Sequence, residues 1–287
     1  MSVVLVTGSS SGIGLATALH FARLGDEVHA GVRDLATATE LTAAIGAERL
    51  SIKPVALDVN DDASVARGVA EVRDRSGRVD VLVNNAGIGG GGPIEDVPVD
   101  WARGLFETNY FGAIRMIQAV LPGMRERRSG AIVNVSSIAG RLAIAGHGHY
   151  SAVKHALEAM SEALAQEVLV FGIRVAIVEP GVVVTPIFAK ARRFNDPASP
   201  YSVHVRRLLL FYQMQMKMAS QPADVAAVIH EAVTAARPRL RYLVGEDARR
   251  LTAGRQRLTD EEYVATGSEM RDEDYLDLMR RRYGFEW

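Results

Sequence analysis

Seven short apolar runs recur along the chain: Val3–Thr7, Glu27–Val32, Ile52–Leu57, Val79–Asn84, Ala131–Ser136, Ile173–Glu179 and Arg241–Val244. They are rich in Val and Ile and apolar almost throughout, which predicts strands buried on both faces. Between them lie amphipathic stretches of helical length, near 12–24, 36–45, 61–75, 99–127, 150–171 and 222–236. This alternation predicts an α/β fold, a single doubly wound domain whose parallel sheet carries helices on both sides. Two regions break the rhythm. Residues 186–221 intervene between the sixth strand and the next helix, and residues 245–287 form a polar tail with helical character.

At 287 residues the chain is long enough to bury one sizeable core. Hydrophobic residues make up 48% and charged residues 23%, as in an ordinary globular protein. The formal net charge of −1 gives no electrostatic case for nucleic acid or an anionic membrane as partner. There is no cysteine, which excludes disulfides, thiol catalysis and Cys-based zinc sites. The N-terminal apolar stretch turns into glycines too soon for a secretory signal, and no run approaches the ~18 apolar residues of a membrane span. A soluble, cytoplasmic protein is expected.

The first strand runs directly into Thr7-Gly8-Ser9-Ser10-Ser11-Gly12-Ile13-Gly14, and an amphipathic stretch follows. A glycine turn between strand and helix lets backbone N–H groups approach a pyrophosphate at the helix N-terminus. Gly8 permits the tight turn, Gly12 the close approach and Gly14 the packing of helix on strand. Tight strand-to-helix turns need glycine in any case, so the turn alone is weak. Further along, Tyr150 and Lys154 are four residues apart and share one face of a helix. A nearby ammonium favours the phenolate, and so would bring a tyrosine toward proton exchange with an alcohol or carbonyl oxygen.

The motifs together are more specific than any one of them. Thr-Gly-x-x-x-Gly-x-Gly is followed in order by Asn84-Asn85-Ala86-Gly87, Asn109, Ser136-Ser137, Tyr150-Ser151-Ala152-Val153-Lys154 and Pro180-Gly181. This series resembles the short-chain dehydrogenase/reductase family over roughly residues 1–245. Around Val28–Leu35 the chain looks similar to its 17β-hydroxysteroid and retinol dehydrogenase branch. The resemblance implies a Rossmann-type catalytic domain over 1–245, with a substrate lid at about 186–221 and a C-terminal helical extension over 246–287. It implies a catalytic set of Asn109, Ser137, Tyr150 and Lys154. Ser137 lies thirteen residues before Tyr150, and Ser136 is its rival. Ser137 would polarise the substrate oxygen, and Asn109 would hold a water that links Lys154 to solvent.

The same resemblance implies a nicotinamide dinucleotide. Gly8, Ser10, Ser11, Gly12, Ile13 and Gly14 would cradle its pyrophosphate, with Asp58, Val59, Asn85, Ala86 and Gly87 on the adenosine side. Tyr150, Lys154, Pro180, Gly181, Val183 and Thr185 would border the nicotinamide. At the end of the second strand an acidic residue would select NAD. That position is Val32 here, and Arg33 follows it, able to pair with a 2′-phosphate. NADP(H) is therefore favoured over NAD(H), with Asp34 as the complication. Asp58 could equally be a helix N-cap.

Leu208-Leu209-Leu210-Phe211-Tyr212 with Met214, Met216 and Met218 reads as an adaptable apolar wall over the substrate or as ordinary core. An apolar ketone or secondary alcohol is the expected substrate; the alternatives are a β-ketoacyl reductase or a catalytically silent dinucleotide-binding sensor. His147 and His149 have no third metal ligand beside them and read as a loop at the mouth of the site. The tail from 245 to 287 carries 11 acidic and 8 basic residues, so Arg280-Arg281-Arg282 reads as a solvated surface. Tyr275, Leu276, Leu278, Met279, Phe285 and Trp287 would dock on the core or on another subunit. Family members commonly pair through the two long helices, so a homo-oligomer is expected.

Overall fold

The computed structural model describes residues 1–268 and 270–285. Strands β1 (Val3–Thr7), β2 (Glu27–Val32), β3 (Ile52–Ala56) and β4 (Val81–Asn84) match the first apolar runs to within two residues. A two-residue strand, β5 (Gly90–Gly91), precedes β6 (Gly130–Val135) and β7 (Ile173–Pro180). A second short strand, β8 (Arg192–Arg193), precedes β9 (Arg241–Val244). Seven of them form one sheet in the order β3-β2-β1-β4-β6-β7-β9, and every pairing in it is parallel. The doubly wound parallel sheet predicted from the rhythm is the fold.

Helices α1 (Gly12–Arg23), α2 (Thr39–Glu48), α3 (Asp62–Ser76), α4 (Val99–Phe106), α5 (Gly112–Arg127) and α6 (Gly148–Leu169) follow the strands in turn. Then come α7 (Ile187–Lys190), α8 (Ser202–Met216) and α9 (Pro222–Thr234), and in the tail α10 (Glu246–Gln256), α11 (Asp260–Val264) and α12 (Asp272–Tyr283). Side chains alternate across each strand. Val4 and Val6 of β1 therefore meet Phe21 of α1, Leu41 of α2 and Ile229 of α9 on one face. Val3 and Leu5 meet Val69 of α3, Met116 of α5 and Leu164 of α6 on the other. Among the described residues no helix is long and apolar enough to cross a membrane.

Two helices differ from their sequence reading. The stretch expected near 36–45 is helical only from Thr39, because a turn holds the residues before it. The Asp34 carboxylate accepts the Ala36 N–H at 2.9 Å, and the Thr37 hydroxyl donates to the Asp34 carbonyl at 3.3 Å. The stretch at 99–127 is interrupted by a π-helical turn over Glu107–Phe111, a feature frequent at functional sites.

The two irregular regions form a second layer over the sheet's C-terminal edge. β8 pairs with β5, Arg192 opposite Gly90 and Arg193 opposite Gly91. Phe211 and Met214 of α8, Leu251 of α10, Tyr275 and Met279 of α12 and Phe285 bury one another together with Ile138 and Leu142. Leu276 and Leu278 pack against the same cluster. The tail thus packs on its own chain, and Trp287 lies outside the described residues. Arg282 does not point free into solvent: it donates to the Glu262 carbonyl at 2.8 Å and to the Thr266 hydroxyl, tying α12 to α11. The methionines do not line the substrate wall. Met214 belongs to the buried cluster, Met218 packs on it, and Met216 is exposed.

Candidate active site

The strand order reverses direction at β1 and β4, and ligands of such sheets bind at the crevice this opens beyond the strand ends. Here one hydroxyl pins the two ends together. Thr7 Oγ1 accepts the N–H groups of Asn85 and Ala86, both at 3.0 Å, and donates to the Val83 carbonyl at 3.3 Å. The Asn85 carboxamide donates to the carbonyls of Thr7 (2.9 Å) and Gly8 (3.2 Å), so it holds the glycine turn from behind. Gly8 (φ 69°) and Gly12 (φ 59°) occupy the left-handed region that favours glycine. A Cβ on Gly14 would lie 2.3 Å from the Gly8 carbonyl oxygen, so only glycine lets α1 start this close to the strand. No side chain caps the start of α1 and its first turn carries no acidic residue, which leaves its N–H groups to an anion.

A cleft of about 430 Å³ runs from this turn across the ends of the strands. Gly8, Ser10, Ser11, Gly12, Ile13, Arg33, Asp58, Val59, Asn85, Ala86 and Gly87 line one end of it. Ser137, Tyr150, Lys154, Pro180, Gly181, Val183 and Thr185 line the other. Gly14 and Asn109 stand behind the wall rather than in it. Arg33 is exposed at the tip of β2, whereas the carboxylate of Asp34 is occupied by the Ala36 N–H. Asp58 accepts from the Asn60 N–H at 3.0 Å and does not cap α3; Asp61 does, accepting from the Ser64 N–H at 2.6 Å.

At the far end, Tyr150 and Lys154 project from the first turns of α6. Lys154 Nζ donates to the Val135 carbonyl at the end of β6, at 2.9 Å, and sits 5.8 Å from the centre of the Tyr150 ring. Burial brings the Lys154 ammonium down to about 8, with Glu158 working against the shift. Burial pushes the Tyr150 phenol up to about 12, opposed by a hydrogen bond from Ser137. This differs from the sequence expectation of a phenol lowered by the lysine. The ammonium is bonded to the Val135 carbonyl beside the ring, and burial has the largest effect on the phenol. Tyr150 therefore keeps its proton at neutral pH and can give it away.

The two serines separate cleanly. Ser137 starts a single 3₁₀ turn, accepts the Ala139 N–H at 3.1 Å and reaches Tyr150. The buried Ser136 hydroxyl lies under Gly140, where a Cβ would come within 2.9 Å of it, and near Glu158. Asn109 sits in the π turn and clamps the backbone of Ile88. Its oxygen accepts the Ile88 N–H at 2.8 Å and its nitrogen donates to the Ile88 carbonyl at 2.9 Å. Beside it a cavity of about 10 Å³, lined also by Thr7, Asn84 and Lys154, is of the size that holds one water.

The sequence put His147 at the mouth of the site and Tyr212 in the wall over it, but their contacts with each other and with the tyrosine were not legible. The His147 ring stacks on Tyr150, with centroids 4.7 Å apart and planes 22° from parallel. The Tyr212 hydroxyl lies 3.2 Å from His147 Nε2, and the Tyr212 ring meets Phe188 at 5.6 Å. Burial holds His147 down at about 4, so it is neutral at neutral pH. Its place one turn before Tyr150 at the start of α6 was the available signal. Nothing in the sequence marked Phe188 or Arg193, which also line the cleft.

A glycine turn under a dinucleotide-sized cleft, with a tyrosine and a lysine at its far end, defines the class of nicotinamide-dependent oxidoreductases acting on CH–OH groups. A profile of the short chain dehydrogenase family matches residues 2–196, and the chain belongs to that family. Human retinol dehydrogenase 8 is 39% identical over 250 residues, 83% of this chain and 79% of that protein. The solved structure of a short-chain dehydrogenase from Streptomyces avermitilis is 39% identical with a TM-score of 0.82, covering 93% of this chain and 98% of that one. An actinorhodin polyketide ketoreductase solved with NADPH is 29% identical with a TM-score of 0.74, covering 85% and 95%.

Proposed function

We propose that this enzyme reduces an apolar ketone or aldehyde, or oxidises the corresponding alcohol, with NADP(H) in preference to NAD(H). The observation that carries this reading is the meeting of Ser137, Tyr150 and Lys154 at one end of a cleft whose other end is the glycine turn. The turn fits the pyrophosphate of a dinucleotide: left-handed Gly8 and Gly12 keep the backbone bare, and the first N–H groups of α1 are uncapped. Ser10, Ser11 and Ile13 continue that cradle. Asp58, Val59, Asn85, Ala86 and Gly87 bound the adenosine side, and Pro180, Gly181, Val183 and Thr185 the nicotinamide side. When bound, the nicotinamide supplies or takes up hydride.

The protein's own residues handle the oxygen and the proton. Ser137 donates a hydrogen bond to the substrate oxygen as charge develops on it. Tyr150, protonated at neutral pH, gives its proton to that oxygen during reduction and takes one back during oxidation. Lys154, anchored on Val135, holds positive charge beside the tyrosine and the nicotinamide ribose. Asn109, fixed by Ile88, borders the water-sized cavity through which Lys154 can be reprotonated. Arg33 supports NADP(H): it is exposed at the tip of β2 while the rival Asp34 is turned into its own loop. The NADPH in the related ketoreductase points the same way.

The substrate wall of Ile144, Leu208, Leu209 and Phe211 favours an apolar, steroid- or retinoid-like compound. The likeness to a retinol dehydrogenase supports the same class. The polyketide ketoreductase likeness keeps a β-ketoacyl substrate as the second reading. A homo-oligomer in the cytoplasm completes the proposal. The test is NADPH oxidation by the purified protein across small ketones, steroids, retinoids and β-ketoacyl thioesters, beside Tyr150→Phe. Turnover lost in that variant supports the assignment; turnover that survives it overturns the tyrosine's role.

A further inference from the structure

The chain is almost neutral, with 33 basic and 34 acidic residues, but the cleft is not. Among the described residues its charged lining consists of Arg33, Lys154, Lys190 and Arg193 against the single carboxylate of Asp58. Arg33 stands at the tip of β2 and Lys154 beside the tyrosine, both on the dinucleotide's side. Lys190 ends the short helix α7. Arg193 follows three residues later, in β8.

Two routes through the structure place Arg193 on the substrate side. Along the small sheet it is the partner of Gly91. Gly91 lies against His147, since a Cβ there would come within 3.2 Å of the imidazole and 2.6 Å of the Gly146 carbonyl. His147 in turn stacks on Tyr150. Along the lid, an Arg193 Nη donates to the Phe188 carbonyl at 3.2 Å, Phe188 meets the ring of Tyr212, and Tyr212 reaches His147. Both routes converge on the residue beside the catalytic tyrosine. The bond to Phe188 uses one of the five guanidinium donors. Among the described residues no carboxylate pairs with Arg193. A fork of donors is thus anchored by one bond at the exposed rim of an apolar chamber, with no carboxylate partner among the described residues.

We propose that Arg193 is a specificity residue that binds a carboxylate on the substrate. The preferred substrate is then an apolar ketone or alcohol whose end remote from the reacting carbon carries an anionic carboxylate. The apolar body lies along Leu208, Leu209 and Phe211, and the planar carboxylate meets the planar guanidinium at the rim. A steroid or retinoid with no anion leaves Arg193 without a partner. This inference rests on the reductase reading and refines its substrate class.

The experiment compares a medium-chain oxo-carboxylate with its methyl ester, which is matched in length and lacks the charge. Binding is measured by titration calorimetry on protein saturated with NADP⁺, and turnover with NADPH is followed alongside. The acid is expected to bind roughly 10–100-fold more tightly than the ester, the range for a hydrogen bond to a charged group. Arg193→Ala abolishes that ratio, Arg193→Lys keeps part of it, and Arg193→Glu inverts it. Equal binding of acid and ester, a preference that survives Arg193→Ala, or binding of neither compound overturns the assignment. The reductase reading fails separately: it is sunk if no carbonyl compound, the two test compounds included, supports NADPH turnover, a result the acid-to-ester binding ratio does not touch.

Discussion

The imidazole of His147 lies almost flat on the ring of Tyr150, 4.7 Å between centroids, and its far side is held by the Tyr212 hydroxyl at 3.2 Å. Tyr150, the proposed proton donor, therefore has a wall as well as a partner. In that proposal Lys154 and Ser137 set its proton, while His147 sets where its ring stands. Because burial holds His147 neutral, its contribution is shape and one hydrogen bond rather than charge. Tyr212 belongs to α8, so this contact also joins the lid to the catalytic helix.

Removing that wall should misplace the tyrosine. His147→Ala is expected to lower kcat by about 10–100-fold while leaving NADPH affinity unchanged, since small displacements of a reacting group are costly. His147→Phe keeps the stack and loses only the bond to Tyr212, so it should retain most of kcat. Steady-state kinetics with melting curves on both variants checks this. An alanine variant as fast as the parent would show that Tyr150 is held by its helix alone.

The protonation states predict the pH dependence with a definite sign. Reduction needs Tyr150 protonated, a condition met throughout the neutral range by a phenol pushed up to about 12. It also needs the Lys154 ammonium, which burial brings down to about 8. The kcat/KM for reduction should accordingly be flat from pH 6 to near 8 and then fall by up to tenfold per unit. Alcohol oxidation needs the tyrosine to accept a proton and should rise over the same range. Lys154→Arg keeps its charge at high pH, so any residual reduction should lose the break near 8. A break that stays in this variant would assign it to another group.

Tyr150→Phe removes the transferred proton and leaves the ring and its stack in place. Turnover should fall by about 10²–10⁴-fold, the usual worth of a positioned acid. NADPH binding, followed by its fluorescence, should be nearly unchanged, and weakened binding would point to a structural role for the hydroxyl.

The sheet and the near ends of the site were legible because their signals are local. Apolar runs such as Val3–Thr7 mark buried strands, and Gly8, Gly12 and Gly14 mark a turn where a side chain would be strained by positive φ (Gly8, Gly12) or collide with Ala86 (Gly8) or the Gly8 carbonyl (Gly14). Tyr150 and Lys154 are one helical turn apart, so spacing alone brings them together. The far wall was not legible, because its contacts are long-range. Tyr212 meets His147 across 65 residues, and β8 finds β5 across about a hundred. The three methionines show the limit well. Their apolar character marks a surface that something covers, but composition does not say whether a ligand or the chain's own C-terminal segment does so. The π turn at Asn109 likewise has no sequence signature, although it aims the carboxamide at Ile88.

Arg33 should govern the choice between the two dinucleotides. An exposed guanidinium can pair with a 2′-phosphate that NADH lacks, and the loop bond of Asp34 keeps the competing carboxylate occupied. Arg33→Ala is expected to raise KM for NADPH by about 10-fold, within the range of a charged hydrogen bond, and to change KM for NADH little. Equal effects on both would place Arg33 on the adenine rather than on the phosphate.

The C-terminal segment is coupled to the substrate wall through shared side chains. Phe285 is 1% exposed and packs on Phe211 at 6.1 Å between ring centroids. Phe211, Leu251, Ile138 and Leu142 belong both to this cluster and to the cleft lining. Phe285→Ala leaves a cavity behind that wall and should cost about 3–5 kcal/mol of stability, read from denaturant or thermal unfolding. Because Phe211 loses its backing, KM for an apolar substrate should rise, while KM for NADPH, bound at the opposite end, should hold. If stability falls and both constants stay put, the segment stabilises the fold without shaping the chamber. A variant that melts like the parent would mean that Phe285 does not pack on Phe211 in solution.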